Sequence, residues 1–385
     1  MSDVVIAGIG QVPAGEHWEF SLRTLAVRAI LAARKDAGGL HPQALYVGNF
    51  LASMMSHQAN LGALLTDWAA LHGIEGLTVE AAEASGAGAF RMGYLAVASG
   101  FVNAALVVGV EKYTDMVGAE VNDMLAMGSD YDYEAIAGLT PAGTAGLVMQ
   151  RYLHTYSVPR LAFGALPLLA HANAVSNPNA MFRKAIRLEA YEQSGMLSDP
   201  VNLFDMAPYA DGAAAVLLTR RDLLPDGFHH PLVKVSGSGT AIDTLALHDR
   251  RDMLAFDAAR AAVEQACYKA GRHPRDMDLF ELCDAFSIYG ILSLEAAGYA
   301  TPGEGWKLAQ DGRLGIDAAL PVCTMGGMKA CGNTLGASGL YQVVHAALQL
   351  RGEAGANQVP DAQRALTLSL GGPASTAVAH VLERV

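Results

Sequence analysis

Apolar positions along the chain alternate between short continuous runs and longer stretches with helical spacing, the signature of strands alternating with helices. Val4 to Ile9 reads as a strand. Ser21 to Ala37 has helical periodicity and is stopped by Gly38 and Gly39. Leu45 to Val47 is a strand running into a turn at Gly48 and Asn49. Leu61 to Leu71 is a helix with apolar side chains on much of its surface, which points to an interface as well as a core. The organising stretch follows, LTVEAAEASGAGAFRMGYLAVASGFVNAALVVGVEK from Leu77 to Lys112. An apolar run, Leu77 to Ala82, enters a small-residue corner at Glu83, Ala84, Ser85 and Gly86. A helix then reaches about Ser99, and Ala104 to Val110 is a buried strand. Small residues let backbones approach closely, so the helix beginning near Ala84 is expected to be packed on nearly every side.

Between Tyr113 and Tyr209 the alternation lapses. Helices are expected around Ala142 to Tyr156 and Arg160 to Ser176, with a break at Asn177, Pro178 and Asn179. An excursion of this length reads as a cap. Ala213 to Thr219 returns to the sheet, and Arg220 to His230, with Pro225, Asp226 and Gly227, is a linker. Leu232 to Ser238 opens a second half and runs into SGSGT. A helix from Arg251 to Gly271, a strand from Leu279 to Cys283, a helix from Ser287 to Ala297 and a Gly-rich loop from Thr301 to Lys329 come next.

The second half repeats the first. Ala337, Ser338 and Gly339 enter a helix as Ala84, Ser85 and Gly86 do, and the strand Ala365 to Leu370 follows it. The closing strands also correspond, DGAAAVLLT from Asp211 beside ASTAVAHVLE from Ala374. Self-similarity at this scale predicts a duplicated α/β unit, helices sandwiching sheets, with halves at 1–225 and 226–385 and the cap at about 113–209.

With 52% hydrophobic and 17% charged residues over 385 positions, the chain has ample core for two domains. A net charge of -12 argues against nucleic-acid or anionic-membrane surfaces, although the few basic residues could still line one local pocket. No run reaches membrane-spanning length and no leader pattern precedes the first strand, so cytoplasmic residence is expected. Cys267, Cys283, Cys323 and Cys331 lack paired metal-ligand spacing, which leaves reduced thiols and no metal site. No strand-to-helix glycine fingerprint supports a dinucleotide.

The corner at Glu83 is the first place to look for chemistry, because a helix N-terminus presents free N–H groups and partial positive charge. The motifs around it resemble those of the thiolase superfamily, closest to its archaeal and sterol-carrier-protein-type members, over essentially the whole chain. VEAAEASG at Val79 to Gly86 stands where those enzymes carry a VEAACASG-like run. DMAPYADGAAAVLLT at Asp205 to Thr219, LALHDR at Leu245 to Arg250, CDAF at Cys283 to Phe286 and GGMKACGNTLGASG at Gly326 to Gly339 match further family motifs in order. The resemblance implies a thiolase fold of two βαβαβαββ halves in a layered α/β sandwich. It also implies acyl-CoA substrates, with coenzyme A arriving as part of the substrate and no tightly bound cofactor. Homodimers or hetero-oligomers are implied, including association with a small OB-fold and zinc-ribbon protein.

The resemblance also marks a departure. The family's acyl-accepting cysteine is Glu83 here, its activating histidine is Asn333, and the histidine and cysteine of its HDCF motif are Cys283 and Ala285. A carboxylate attacking a thioester would give an anhydride, and it is far less nucleophilic than a thiolate. Three readings follow. In the first, Glu83 is a general base for a retro-aldol split of a 3-hydroxyacyl-CoA, or its reverse, while the Asn333 amide, a water and the backbone near Gly371 and Gly372 hold the enolate oxygen. The second is a catalytically silent subunit of a hetero-oligomeric acyl-CoA thiolase or acyltransferase complex. The third uses Cys283 as a displaced nucleophile.

Each residue has a plainer alternative. Glu83 could be a first-turn carboxylate, Asn333 a helix cap and Cys283 a small buried hydrophobe. Tyr341 could supply a proton or simply pack. By resemblance His171 approaches the ligand from the cap, and Ser238 and Gly239, expected in a loop after a strand, contact pantetheine. His248 and His380 are expected to be structural.

Overall fold

The computed structural model describes residues 3–385; Met1 and Ser2 lie outside the described residues. The first half runs β1 (Val4–Gln11), α1 (Leu22–Asp36), β2 (Ala44–Gly48), α2 (Ala52–Met55), α3 (Leu61–Trp68), β3 (Glu75–Val79), α4 (Ser85–Ala98) and β4 (Ala104–Glu111). The insertion carries α5 (Ala119–Leu125), α6 (Pro141–Tyr156), α7 (Ala165–Ala174), α8 (Leu188–Glu192) and a small ribbon, β5 (Met196–Ser198) with β6 (Val201–Asn202). β7 (Gly212–Arg220) then closes the half. The second half runs β8 (Val233–Ile242), α9 (Asp257–Ala270), β9 (Leu279–Glu281), α10 (Ser287–Ala296), α11 (Gly305–Gln310), α12 (Gly327–Cys331), α13 (Ser338–Arg351), β10 (Arg364–Gly371) and β11 (Thr376–Arg384).

Nine strands order as β3-β2-β4-β7-β1-β8-β11-β10-β9. β2 is parallel to β3 and β4, and β7 is antiparallel to β4 and β1. The same arrangement returns as β9 parallel to β10, with β11 antiparallel to β10 and β8. The halves meet where Val5 of β1 pairs with Lys234 of β8. This repeat is the duplication that the sequence shows, carried into topology.

Both faces of the sheet are covered, so its strands read as continuous apolar runs. α1 and α3 bury Leu25, Ala29 and Leu65 against the outer face of the first half, and α9 buries Ala259, Ala262 and Ala266 against the second. The two duplicated helices, α4 and α13, lie between the half-sheets and touch each other, sharing a core that includes Phe90, Val107, Leu340 and Leu382. They approach closely because their entries are glycine: a Cβ on Gly86 would lie 2.8 Å from the Gly336 carbonyl oxygen. The result is a layered α/β sandwich.

The expected elements form with specific differences. The run through Ala82 leaves the sheet at Val79, where β3 is the edge strand and Leu77 is exposed. The segment expected as one loop from Thr301 to Lys329 contains α11 and α12. SGSGT is not a loop but the body of β8. The insertion packs into the second half, placing Tyr152, Phe163 and Tyr191 in the same core as Phe256, Phe280 and Ile288. Among the described residues no helix is long and apolar enough to cross a membrane. All four cysteines are free and buried.

Candidate active site

The chain turns sharply between β3 and α4. Ala82 takes a left-handed φ of 49°, and Ser85 Oγ pins the corner by donating to the Ala82 carbonyl (2.6 Å) while accepting the Ala81 N–H (2.9 Å). Glu83 therefore stands at the entry to α4. Its Oε2 accepts the backbone N–H of Gly372 at 2.7 Å. Gly371 and Gly372 have to be glycine, since Cβ atoms there would lie 2.3 Å from the Ala81 carbonyl oxygen and 2.2 Å from that of Gly128. Burial holds the Glu83 carboxyl above its ordinary pKa, with Glu80 adding to the rise. The N–H groups of Glu83 itself and of Gly372 oppose it.

Glu83, Cys283, Asn333 and Gly372 line one cavity of about 40 Å³. Four residues scattered over the chain are thus brought together as expected. Asn333 sits on a rigid frame: its N–H donates to Pro208 O (2.7 Å) and its carbonyl accepts from Tyr113 Oη (2.6 Å). Asn333 Oδ1 accepts the Leu335 N–H (3.0 Å) and Ser338 Oγ (3.3 Å). A backbone N–H can only donate, which fixes the oxygen on that side and the NH₂ on the other. That NH₂ makes no hydrogen bond among the described residues. The capping alternative is not realised: Thr334 is the N-cap of the short turn Leu335–Ala337, and Asn333 stands one position before it, accepting the Leu335 N–H from there.

Three expectations change. The Gly372 N–H, expected to hold an enolate oxygen, is already occupied by Glu83. Burial, with the Asp284 and Glu83 charges adding to it, pushes the Cys283 thiol up to about 12 against the pull of the Ala285 N–H, which keeps it protonated at neutral pH. Tyr341 is not at the cavity with Glu83; its hydroxyl donates to Val12 O at 2.6 Å.

A second, larger cavity of about 710 Å³ adjoins the first, and Met206 and Tyr209 line both. His171 lines it, its ring stacked on Phe182 and edge-on to Phe204. Burial lowers the His171 pKa, and nearby Lys329 lowers it further, so the ring is neutral at pH 7. Lys184 also lines the cavity, and Lys184, Arg183 and Arg187 are exposed without ion pairs among the described residues. In an acidic chain this is a local basic rim.

The family models fit this architecture across nearly its whole length. Residues 4–222 match "Thiolase, N-terminal domain", and residues 239–384 match "Thiolase C-terminal domain-like". The chain belongs to the thiolase family. It is 39% identical over 386 residues to the acetyl-CoA acetyltransferase of Methanothermobacter thermautotrophicus, with both chains covered in full. It is 29% identical to the benzoylsuccinyl-CoA thiolase subunit BbsB of Thauera aromatica, over 96% of this chain and 94% of that one. Among solved structures it is similar to the Ltp2-ChsH2(DUF35) aldolase, with a TM-score of 0.86 at 24% identity over 99% and 98% of the two chains. That likeness is one of fold.

Within the thiolase fold, Ser238 and Gly239 are not where the resemblance put them. Both lie inside β8, paired with His380 and Ala379 of β11. Ser238 is buried, and its carbonyl accepts from Arg91 (2.8 Å) and Lys269 (2.9 Å). Gly239 abuts α9, where a Cβ would lie 2.1 Å from the Ala262 carbonyl oxygen. Their alternation of small residues is a packing device for α9. His380 is structural as expected, buried in β11 with Nε2 against Ala87 O at 3.2 Å.

The residues missed from the sequence are Met206, Tyr209 and Lys329. Lys329 stands in GGMKACG, a cation inside an otherwise small and apolar run. That mismatch is the signal that was available.

Proposed function

We propose that this thiolase-family protein binds acyl-CoA thioesters and makes or breaks a carbon–carbon bond beside the thioester without an acyl-enzyme. The observation carrying this reading is that the Glu83 carboxylate and the unpaired Asn333 NH₂ line one small cavity whose only thiol, Cys283, is held protonated. In the cleavage direction Glu83 takes the proton of a 3-hydroxyl group and the Cα–Cβ bond breaks to give a carbonyl product. The electron pair moves into a thioester enolate, whose oxygen accepts from the Asn333 amide. The proton on Glu83 is then delivered to Cα, which releases acyl-CoA and restores the carboxylate. A carboxyl group with a raised pKa suits both transfers near neutral pH.

The basic rim at Lys184 and the apolar cavity behind it suit the phosphates and the arm of coenzyme A. The relative at 39% identity is named for acetyl transfer between CoA thioesters, which supports the substrate class; Glu83 in the nucleophile's place argues against the same covalent route here. The test uses the purified chain. Release of a carbonyl compound and acyl-CoA from a 3-hydroxyacyl-CoA supports the proposal, and rapid exchange of labelled CoA into acetoacetyl-CoA overturns it.

A second reading, a silent subunit of a hetero-oligomer, is favoured by the replacement of every family position for covalent chemistry. The BbsB relative is itself named a subunit. The exposed edge at β3, with Leu77 and neighbouring Trp68 uncovered, suits a homodimer or a hetero-oligomer under either reading. Stoichiometric co-purification of a second thiolase chain or of a small OB-fold and zinc-ribbon protein, without which no turnover occurs, would favour the silent subunit.

A further inference from the structure

The small cavity that holds Glu83, Cys283 and Asn333 is also lined by Tyr289, which takes no part in the chemistry above. Tyr289 sits in the first turn of α10, and its ring meets those of Phe256 and Phe286 edge-on, with centroids 5.6 and 5.2 Å away. The residue is 5% exposed. Its Oη makes no hydrogen bond among the described residues, yet it is not sealed in protein as Ser287 Oγ and Ser293 Oγ of the same helix are. What surface it has opens on the cavity. Phenylalanine would fill the same aromatic slot, so packing gives the hydroxyl no use, and a buried donor without an acceptor is costly.

A second phenol, Tyr209, lines the cavity and also lacks a side-chain hydrogen bond among the described residues. Two observations separate the pair. Tyr209 is half-buried and opens into the larger cavity as well, whereas Tyr289 lines only the small one of the two. Burial and then the Glu83 charge hold the Tyr289 phenol above its ordinary pKa, with Arg250 opposing, whereas burial alone raises Tyr209. The Tyr289 hydroxyl is thus the donor near the Glu83 carboxylate, and it keeps its proton at neutral pH. One acceptor and one donor face the same small space, and a hydroxyl is a group that satisfies both.

We propose that Tyr289 is a catalytic residue that donates to the 3-oxygen of a 3-hydroxyacyl-CoA while Glu83 accepts the proton of that same oxygen. This rests on the retro-aldol reading above and deepens it by naming the group that recognises the hydroxyl. In cleavage the O–H proton passes to Glu83, the Cα–Cβ bond breaks and the 3-oxygen becomes a carbonyl oxygen. Tyr289 keeps its own proton throughout and stabilises the negative charge that the oxygen carries on the way. In the reverse direction the same donor polarises the incoming carbonyl for attack by the enolate. An acyl-CoA without a 3-oxygen leaves the Tyr289 hydroxyl unpaired and is selected against.

The test is Tyr289→Phe in the full chain, which removes an oxygen without a protein partner and is expected to leave Tm unchanged. With 3-hydroxybutyryl-CoA or 3-hydroxydecanoyl-CoA the variant is expected to release the aldehyde and acetyl-CoA with kcat lowered about ten- to a hundredfold, the range for a hydrogen bond to a charged group. Binding separates contact from packing. In a Glu83→Gln background, where turnover is slow, calorimetry is expected to show 3-hydroxybutyryl-CoA bound more tightly than butyryl-CoA, and Tyr289→Phe to shrink that preference by about two- to tenfold. A merely structural tyrosine would weaken both ligands alike, and that result overturns the assignment, as does an unchanged kcat or a loss on Tyr209→Phe with none on Tyr289→Phe. No preference with Tyr289 intact overturns it without recourse to the variant. Wild type that cleaves neither thioester overturns the retro-aldol reading itself, and the binding preference then reads the Tyr289 contact alone.

Discussion

Glu83 and Gly372, 289 positions apart in sequence, meet through a 2.7 Å hydrogen bond from the Gly372 N–H to Glu83 Oε2. The bond joins the entry of α4, in the first half, to the end of β10, in the second. Glutamine can accept the same N–H through its carbonyl oxygen but cannot take a proton at neutral pH. Glu83→Gln is therefore expected to keep CoA affinity and Tm close to wild type while lowering cleavage of a 3-hydroxyacyl-CoA by about 10² to 10⁴-fold. Steady-state kinetics beside thermal melting checks this. Wild-type turnover in the variant would remove Glu83 from the chemistry.

Asn333 separates two roles by its two ends. Its Oδ1 satisfies Leu335 and Ser338, and its NH₂ is free. Asn333→Ala removes both, with about 1 kcal/mol of stability lost for the Oδ1 hydrogen bonds and about 10² to 10³-fold in kcat lost for the enolate donor, at little change in KM. A rise in KM with kcat preserved would assign Asn333 to ground-state binding instead.

How far the sequence led depends on what kind of signal each residue gives. The duplicated Ala-Ser-Gly helix entries predict two close-packed central helices, because small residues at a crossing have one dominant physical use, and Gly86 against Gly336 is that use. Glu83, Asn333 and Cys283 were legible as neighbours through motif position. What they could not reveal was occupancy: that Gly372 already donates to Glu83 depends on a long-range register. SGSGT misled for a related reason. Alternating glycine reads as a loop when only local flexibility is considered, whereas in β8 the glycines admit the backbone of α9. Lys329 carried a signal in its mismatch with its surroundings, but its acceptors, Phe204 O and Asp205 O, lie more than a hundred positions away.

Gly239 provides a direct check on that correction. A methyl group at this position meets the Ala262 carbonyl oxygen at 2.1 Å, a backbone atom of α9 that moves only with the helix. Gly239→Ala is expected to destabilise the fold by about 1–3 kcal/mol or more, the range for overpacking, and to lower Tm. CoA affinity of the folded fraction stays at wild-type level. A variant of normal stability with impaired CoA binding would instead return Gly239 to the ligand.

Glu281 governs part of the pH dependence of stability. It is buried in β9, where its Oε1 accepts the Thr324 N–H (2.9 Å) and hydroxyl (2.7 Å), and burial pushes its carboxyl up to about 7. A carboxyl whose folded pKa is raised binds its proton more tightly in the native state. Its contribution is therefore fully present below about pH 4.5 and is lost as pH climbs through 7. Buried Glu111, also pushed up to about 7, adds to that loss, while buried His345 and His380, pushed down to about 4 and about 3, work in the opposite sense and gain stability as pH rises towards 6.5, so the wild-type profile alone does not isolate Glu281. The difference between Glu281→Gln and wild type isolates the carboxyl. The variant is expected to gain on wild type steadily from about pH 5 to pH 7 by up to about 1.4 kcal/mol per pH unit, and then to hold a constant lead. Chemical denaturation at half-unit pH intervals measures that curve. A difference independent of pH would show that Glu281 is ionised throughout and that its two bonds to Thr324 outweigh its burial.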